Sequence, residues 1–221
     1  MNSAFLRVIR CLGFGACAAV ASVSHANLVT NGGFELGAFG GGVNGNQSLA
    51  VGSTAMTGWT VTTDSISWLN GSAFSLAPFA GAQYLDLTNT NDTGVSGGVL
   101  QSIATVAGSD YLLTYWLGSS TLYTSENAVF ASAGSTSATC TGAAPTSNAT
   151  WSQCSLAFTA TGSSTTISLN GAGATNFQFL GLDNVNVDLV AGSVPEPDSH
   201  ALVILALAGA GLITARRQRR R

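Results

Sequence analysis

The chain contains no lysine, and its seven arginines all stand at the two ends, at positions 7, 10, 216, 217, 219, 220 and 221. Between Asn27 and Ser193 there are eight acids (Glu35, Asp64, Asp86, Asp92, Asp110, Glu126, Asp183, Asp188) and no base, so this stretch carries −8 although the whole chain is at −3. With no cation to neutralise phosphates, nucleic acid is excluded as a natural partner. An anionic polysaccharide would need a bridging metal ion. Histidine is equally scarce: the only two are His25 and His200, both outside that stretch. Ser-His-Asp, Cys-His and Ser-Lys arrangements are excluded with it, as is histidine-based metal catalysis. Carboxylates are the only catalytic tools left. A paired-carboxylate glycosidase needs two acids at a defined separation across a sugar cleft. No motif singles out such a pair, and the chain reads as a non-enzyme.

Long apolar runs are also missing. The run from Ala201 to Ala215 has 15 residues, short of the roughly 20 that an unaided membrane span requires. It follows Val194-Pro195-Glu196-Pro197 and precedes Arg216, Arg217, Arg219, Arg220 and Arg221. Proline-acid-proline continues neither a helix nor a ladder, so it reads as an extended hinge. The terminal arginines hold that end in the cytoplasm. Together these features resemble the PEP-CTERM sorting signal of Gram-negative bacteria. The resemblance implies processing by an exosortase and transient anchoring in the inner membrane, followed by release to the cell surface or extracellular matrix. An ordinary tail anchor with a proline linker is the alternative. At the other end, Arg7 and Arg10 precede the apolar Cys11 to Val23, and Ser24-His25-Ala26 has the small residues a signal peptidase inspects. The expected organisation is a signal peptide over 1–26, an ectodomain over 27–190, a linker over 191–200, a transmembrane sorting helix over 201–215 and a basic cytoplasmic tail over 216–221.

Two cysteines, Cys140 and Cys154, remain after signal removal. In an oxidising compartment a disulfide is the default reading. Closing a loop of about 15 residues contributes about 3 kcal/mol in the chain-entropy model. The enclosed segment, rich in Gly, Ala, Pro and Ser, reads as a surface loop.

The ectodomain is dominated by Gly, Ser, Thr, Ala and Asn, with no sustained helical period. Strand character recurs at Trp59–Thr63, Ile66–Leu69, Gln83–Leu87, Val99–Val106, Tyr111–Leu117, Ala128–Ser132, Ser155–Thr159, Thr165–Leu169 and Phe177–Leu189. The sequence predicts an all-β fold, an antiparallel two-sheet sandwich or jelly roll. Both faces of Tyr111–Leu117 are partly apolar, which places that strand mid-sandwich. The glycine-rich 32–45 stretch reads as a flexible loop. It lacks the lysine and following helix of a phosphate cradle.

Asn27-Leu28-Val29-Thr30-Asn31-Gly32-Gly33-Phe34-Glu35 resembles the opening of galactose-binding-like jelly rolls. That group includes carbohydrate-binding modules, the plant cell-wall domain-of-unknown-function family and bacterial choice-of-anchor proteins. Gly58-Trp59, Gln83-Tyr84-Leu85-Asp86-Leu87, Gly98-Val99-Leu100-Gln101-Ser102 and Leu182-Asp183-Asn184-Val185 follow in the same order. The resemblance implies a two-sheet jelly roll with its first and last strands close together. It also implies a structural calcium ion at Glu35 and Asp183. Calcium takes six to eight oxygens, some from backbone carbonyls. The same two residues read equally well as acceptors of backbone N–H groups in turns. Aromatics that could meet sugar are Trp68, Trp116, Tyr123 and Trp151, while Trp59 and Tyr84 read as core.

Three functions remain open: a non-catalytic module bound to extracellular polysaccharide, a glycosylated structural matrix protein without a specific ligand, and a carboxylate glycosidase. Exposed rings on one face favour the first; a smooth Ser/Thr surface favours the second.

Overall fold

Successive side chains of a strand point to opposite faces, and in strands such as Asp110–Ser119 and Ser164–Gly171 of this chain apolar and polar residues alternate to match. The structure, a computed structural model, describes residues 27–42, 44–88, 95–123, 128–145, 148–172 and 178–190. Both segments expected to serve in targeting, including Pro195, Glu196, Pro197 and every arginine, lie outside the described residues. Among those described, no helix is long and apolar enough to cross a membrane.

In chain order the strands are β1 (Asn46–Leu49), β2 (Thr60–Thr62), β3 (Ile66–Asn70), β4 (Gln83–Asp86), β5 (Gly98–Ala104) and β6 (Asp110–Ser119). They continue with β7 (Ala128–Ala133), β8 (Thr136–Thr141), β9 (Thr150–Thr159), β10 (Ser164–Gly171) and β11 (Gly181–Leu189). One sheet has six strands in the order β1-β3-β4-β11-β6-β9, and the other has five in the order β2-β5-β10-β7-β8. Every pairing is antiparallel. The expected all-β, two-sheet antiparallel architecture is the one observed.

The main core lies between the sheets. β6 contributes Tyr111, Leu113, Tyr115 and Leu117, β10 contributes Ile167 and Leu169, and β11 contributes Leu182, Val185 and Val187. Burial pushes the Tyr115 hydroxyl up to about 12. Trp59 and Trp68 close the core beside Phe34. Trp68 is fully buried, and its indole N–H donates to the Phe34 carbonyl at 3.0 Å. It is therefore a core residue and cannot stack on an external sugar, which corrects its nomination as a binding ring.

The opening motif runs beside β11, as a neighbourly first and last segment requires. Leu28 N–H donates to Val187 O at 3.0 Å, and Val185 N–H donates to Gly32 O at 2.9 Å. A Cβ at Gly32 would sit 1.9 Å from the Val185 oxygen, so only glycine permits the approach. The opening motif itself forms no strand. The first strand, β1, pairs with β3.

Two strands were not legible in sequence. β1 emerges directly from the glycine-rich stretch, and β8 (TSATCT) has no large apolar residue to mark it. The disulfide joins Cys140 on β8 to Cys154 on β9, with Cα atoms 6.1 Å apart. Since β8 and β9 are edge strands of different sheets, the bond links the two layers at one side of the sandwich. Thr150–Gln153, expected within a loop, belong to β9 and pair with Ser119–Trp116. The physical reason is that the sheet partner supplies hydrogen bonds that local sequence does not advertise.

Candidate functional site on the outer face of the six-stranded sheet

The face of the six-stranded sheet turned away from the main core is not bare. One row across it reads Ser48, Ser67, Asp86, Gly181, Gly118, Trp151 from β1 to β9. The paired glycines leave a trough with no side chain of its own. Residues 71–82, which connect β3 to β4, fold back over this trough instead of turning tightly. Leu76 is the plug: a Cβ on Gly118 would meet its Cδ2 at 2.6 Å, and one on Gly181 would meet it at 3.0 Å. Leu69, Leu76, Tyr84 and Phe179 form a second buried cluster here, with Phe74, Tyr123 and Trp151 packed against it.

This connection, called the strap below, is held by side chains that spend hydrogen bonds on its backbone. The Tyr84 hydroxyl lies 2.7 Å from the Ala73 carbonyl and 2.9 Å from that of Leu76. Ser120 Oγ donates to Phe74 O at 2.5 Å, and the Trp151 indole donates to Ala77 O at 3.0 Å. Burial, followed by the charges of Asp86 and Asp183, raises the Tyr84 pKa far above the ordinary tyrosine range, so this hydroxyl keeps its proton.

Two acids hold the strap from the other side. Asp183 Oδ2 accepts N–H groups from Phe79 at 2.9 Å and Ala80 at 3.1 Å, and its Oδ1 accepts from Asn184 at 2.6 Å. Glu35 Oε1 accepts from Ala82 and Gln83, each at 2.8 Å. Asp183 is fully buried. Burial raises its pKa to about 6 against the lowering effect of the amides of Ala80, Asn184 and Phe79, and the Glu35 charge adds to the rise. A β-bulge in β11 just after Asp183, with Asn184 at φ 48°, accompanies this geometry.

The structure thus brings Glu35 and Asp183 to one place, as their shared assignment required. Their partners are five backbone N–H groups. Amide hydrogens meet both Asp183 oxygens and Oε1 of Glu35, whereas calcium takes six to eight oxygens. Among the described residues no three of His, Cys, Asp and Glu gather as a metal site. Two carboxylates supply only part of a calcium ion's oxygen set, and here both are engaged by amides. The arrangement matches the alternative, carboxylates accepting backbone N–H groups.

Of the nominated rings, Trp116 and Trp151 both meet Phe79. Phe79 on the strap stacks on Trp116 with centroids 3.9 Å apart and planes 18° from parallel. Trp151 meets Phe79 edge-on at 6.1 Å and Tyr84 at 5.9 Å. Trp116 and Trp151 are half-buried, while Phe79 is 37% exposed. Tyr123 stacks on Phe179 at 6.1 Å. Tyr84 is buried as expected, although in this second cluster and not between the sheets.

Phe79 was missed, and a signal for it existed. Residues 71–82 read GSAFSLAPFAGA, with Phe74, Leu76 and Phe79 among small residues and one proline. A connection left in solvent gains nothing from three large apolar side chains, so their presence marks a segment that docks.

Comparison with solved structures finds distant similarities. A structure of TmCBM61 in complex with beta-1,4-galactotriose is 17% identical, with a TM-score of 0.46 over 75% of this chain and 99% of that one. The CBM22-1 xylan-binding domain from Paenibacillus barcinonensis Xyn10C is 15% identical, with a TM-score of 0.40 over 65% and 93%. A family 35 carbohydrate binding module from Clostridium thermocellum is 10% identical, with a TM-score of 0.41 over 64% and 97%. No curated protein matches. The family described as Protein of unknown function (DUF642) matches residues 27–188, which is most of the chain, and the chain belongs to that family.

Proposed function

We propose that the domain is a non-catalytic module that contacts neutral glycan at the cell surface through the outer face of the six-stranded sheet. The observation that carries this reading is the stacked pair Phe79 and Trp116, with Phe79 exposed and Trp151 edge-on beside it. Apolar sugar faces stack on such rings, and neighbouring amides and hydroxyls satisfy the sugar hydroxyls. With no lysine or arginine between Asn27 and Ser193, charge steering contributes nothing, so binding is modest and nearly independent of salt. Glu35 and Asp183 serve as clamps for the strap, neither as a calcium cage nor as a glycosidase pair. Signal peptidase, the PEP-CTERM segment around Pro195, Glu196 and Pro197 and an exosortase supply the export route in this proposal. Exopolysaccharide is its polymer partner.

Retention of the exported protein on the neutral fraction of its host's exopolysaccharide, at low and high salt, tests the reading. Retention at both, lost in Phe79→Ala and Trp116→Ala, supports it. No retention at either salt sinks it.

The structural-matrix reading also has a specific observation behind it. Across the five-stranded sheet the outward row reads Thr60, Leu100, Ser168, Ser132, Ser137. That is a hydroxyl-rich, uncharged surface of the kind a matrix protein without a ligand would present.

A further inference from the structure

Between β1 and the strap lies an open groove of about 770 Å³, within the ~300–1,000 Å³ usual for ligand sites. It is separate from the ring pair. Asn44 and the outward side chains of β1, Asn46 and Ser48, form one side. Ser72, Phe74 and Ser75 of the strap form the other, and Leu122 completes the lining. The lining offers carboxamides and hydroxyls that can both donate and accept, with apolar surface from Phe74 and Leu122. Among the described residues no charged side chain lines it.

The strap wall is built with effort. Phe74 (φ 52°, ψ 34°) and Ser75 (φ 60°) occupy the left-handed region, as does Asn44 (φ 56°) on the opposite side. A bulky aromatic there is a genuine outlier, and such outliers persist only where surrounding structure over-determines them. Here that structure is Ser120 donating to Phe74 O, Tyr84 at the Ala73 and Leu76 carbonyls, and the Phe74 ring against Phe179 at 5.9 Å. The wall is therefore fixed before any ligand arrives, which lowers the ordering cost of binding.

We infer that this groove is a second glycan contact, taking a short uncharged polyhydroxylated segment, independent of the Phe79–Trp116 pair. For its ligand class the inference rests on the glycan-contact reading. Its own content is the location and the separateness. The strap contributes to both contacts, Ser72, Phe74 and Ser75 to the groove and Phe79 to the ring pair, so a polymer chain long enough to lie along it engages both. A short oligosaccharide engages one at a time. Linked contacts raise retention by effective concentration without any new interaction.

The test uses the exported protein, and as probes the neutral fraction of the host exopolysaccharide and short oligosaccharides cut from it. Ser48→Arg and Ser72→Arg each put a long side chain into the groove from an exposed position, where the effect on folding is small; melting curves check this. Each variant should lose roughly tenfold or more in retention on the polymer, with the ring pair intact. Combining either with Phe79→Ala should lose more than either change alone. Wild-type retention in Ser48→Arg or Ser72→Arg, alongside loss in Phe79→Ala, would overturn the groove inference and leave the glycan reading standing. No retention of the wild type on any probe would overturn both.

Discussion

The two outer faces of this sandwich are built from the same pleated backbone and solve their exposure to water differently. On the five-stranded sheet, short hydroxyl side chains are common on the surface beside Leu100 and an exposed Phe130, and some pair among themselves, as in the Ser102–Thr166 contact at 2.9 Å across β5 and β10. On the six-stranded sheet, the corresponding middle of the face is two glycines, and a twelve-residue strap fills the space. The first face is complete once the strands pair. The second is complete only when a connection returns to it, bringing its own rings and held by five side-chain anchors, Tyr84, Ser120, Trp151, Asp183 and Glu35. Features that could hold a ligand, namely a stacked ring pair and a fixed groove wall, occur on the face where backbone had to be spent.

Removing the plug breaks that comparison most directly. Leu76→Ala empties the glycine trough, and a large-to-small change at a buried leucine costs about 2–5 kcal/mol. Chemical denaturation should show a loss in this range. A loss under about 1 kcal/mol would mean that the strap rests loosely on the sheet. Next is the Cys140–Cys154 bond, which ties the two layers together. Replacing both cysteines with serine should cost about 3 kcal/mol, and a thiol assay on the denatured, non-reduced exported protein should find no free thiol.

The acid that clamps the strap has a pH signature the hydroxyl face lacks. The Asp183 pKa is raised from 3.8 to about 6 on folding, so the folded state binds the extra proton. Its contribution to stability is fully present below about pH 4 and is lost as pH rises through about 6. The size is on the order of 3 kcal/mol at most. Melting temperature, followed between about pH 4 and pH 7, should carry this downward component with rising pH, and Asp183→Asn should remove it. The same slope in the variant would refute the assignment. The smallest effect belongs to the other face: Ser102→Ala or Thr166→Ala should stay within about 0.5 kcal/mol of wild type. A larger loss would show that the hydroxyl rows are structural and not merely a wetted surface.

Much of the fold was legible because period-two patterning is local. β6, with Tyr111, Leu113, Tyr115 and Leu117 inward, announces itself, and so do β3, β4 and β10. β8 does not, since Thr136–Thr141 acquires strand geometry only from its pairing with β7. The site was half legible. Glu35, Asp183, Trp116 and Trp151 were singled out from residue type and motif, and all four touch the strap. The strap itself was invisible, because its course depends on Gly118 and Gly181 lying side by side, 63 positions apart in the chain. Trp68 failed for a related reason: its place on the inward face of β3 follows from register, and one residue of register decides inside from outside.

The sequence by itself determined the things that need no partner. The eight acids between Asn27 and Ser193 with no base and no histidine, the strand periodicity and the two cysteines of that stretch follow from composition and order alone. Tertiary structure decided which acids hold amides, which tryptophans see solvent and where a groove opens. Those are properties of distances between segments far apart in the chain, and such distances exist only after the sheets have packed.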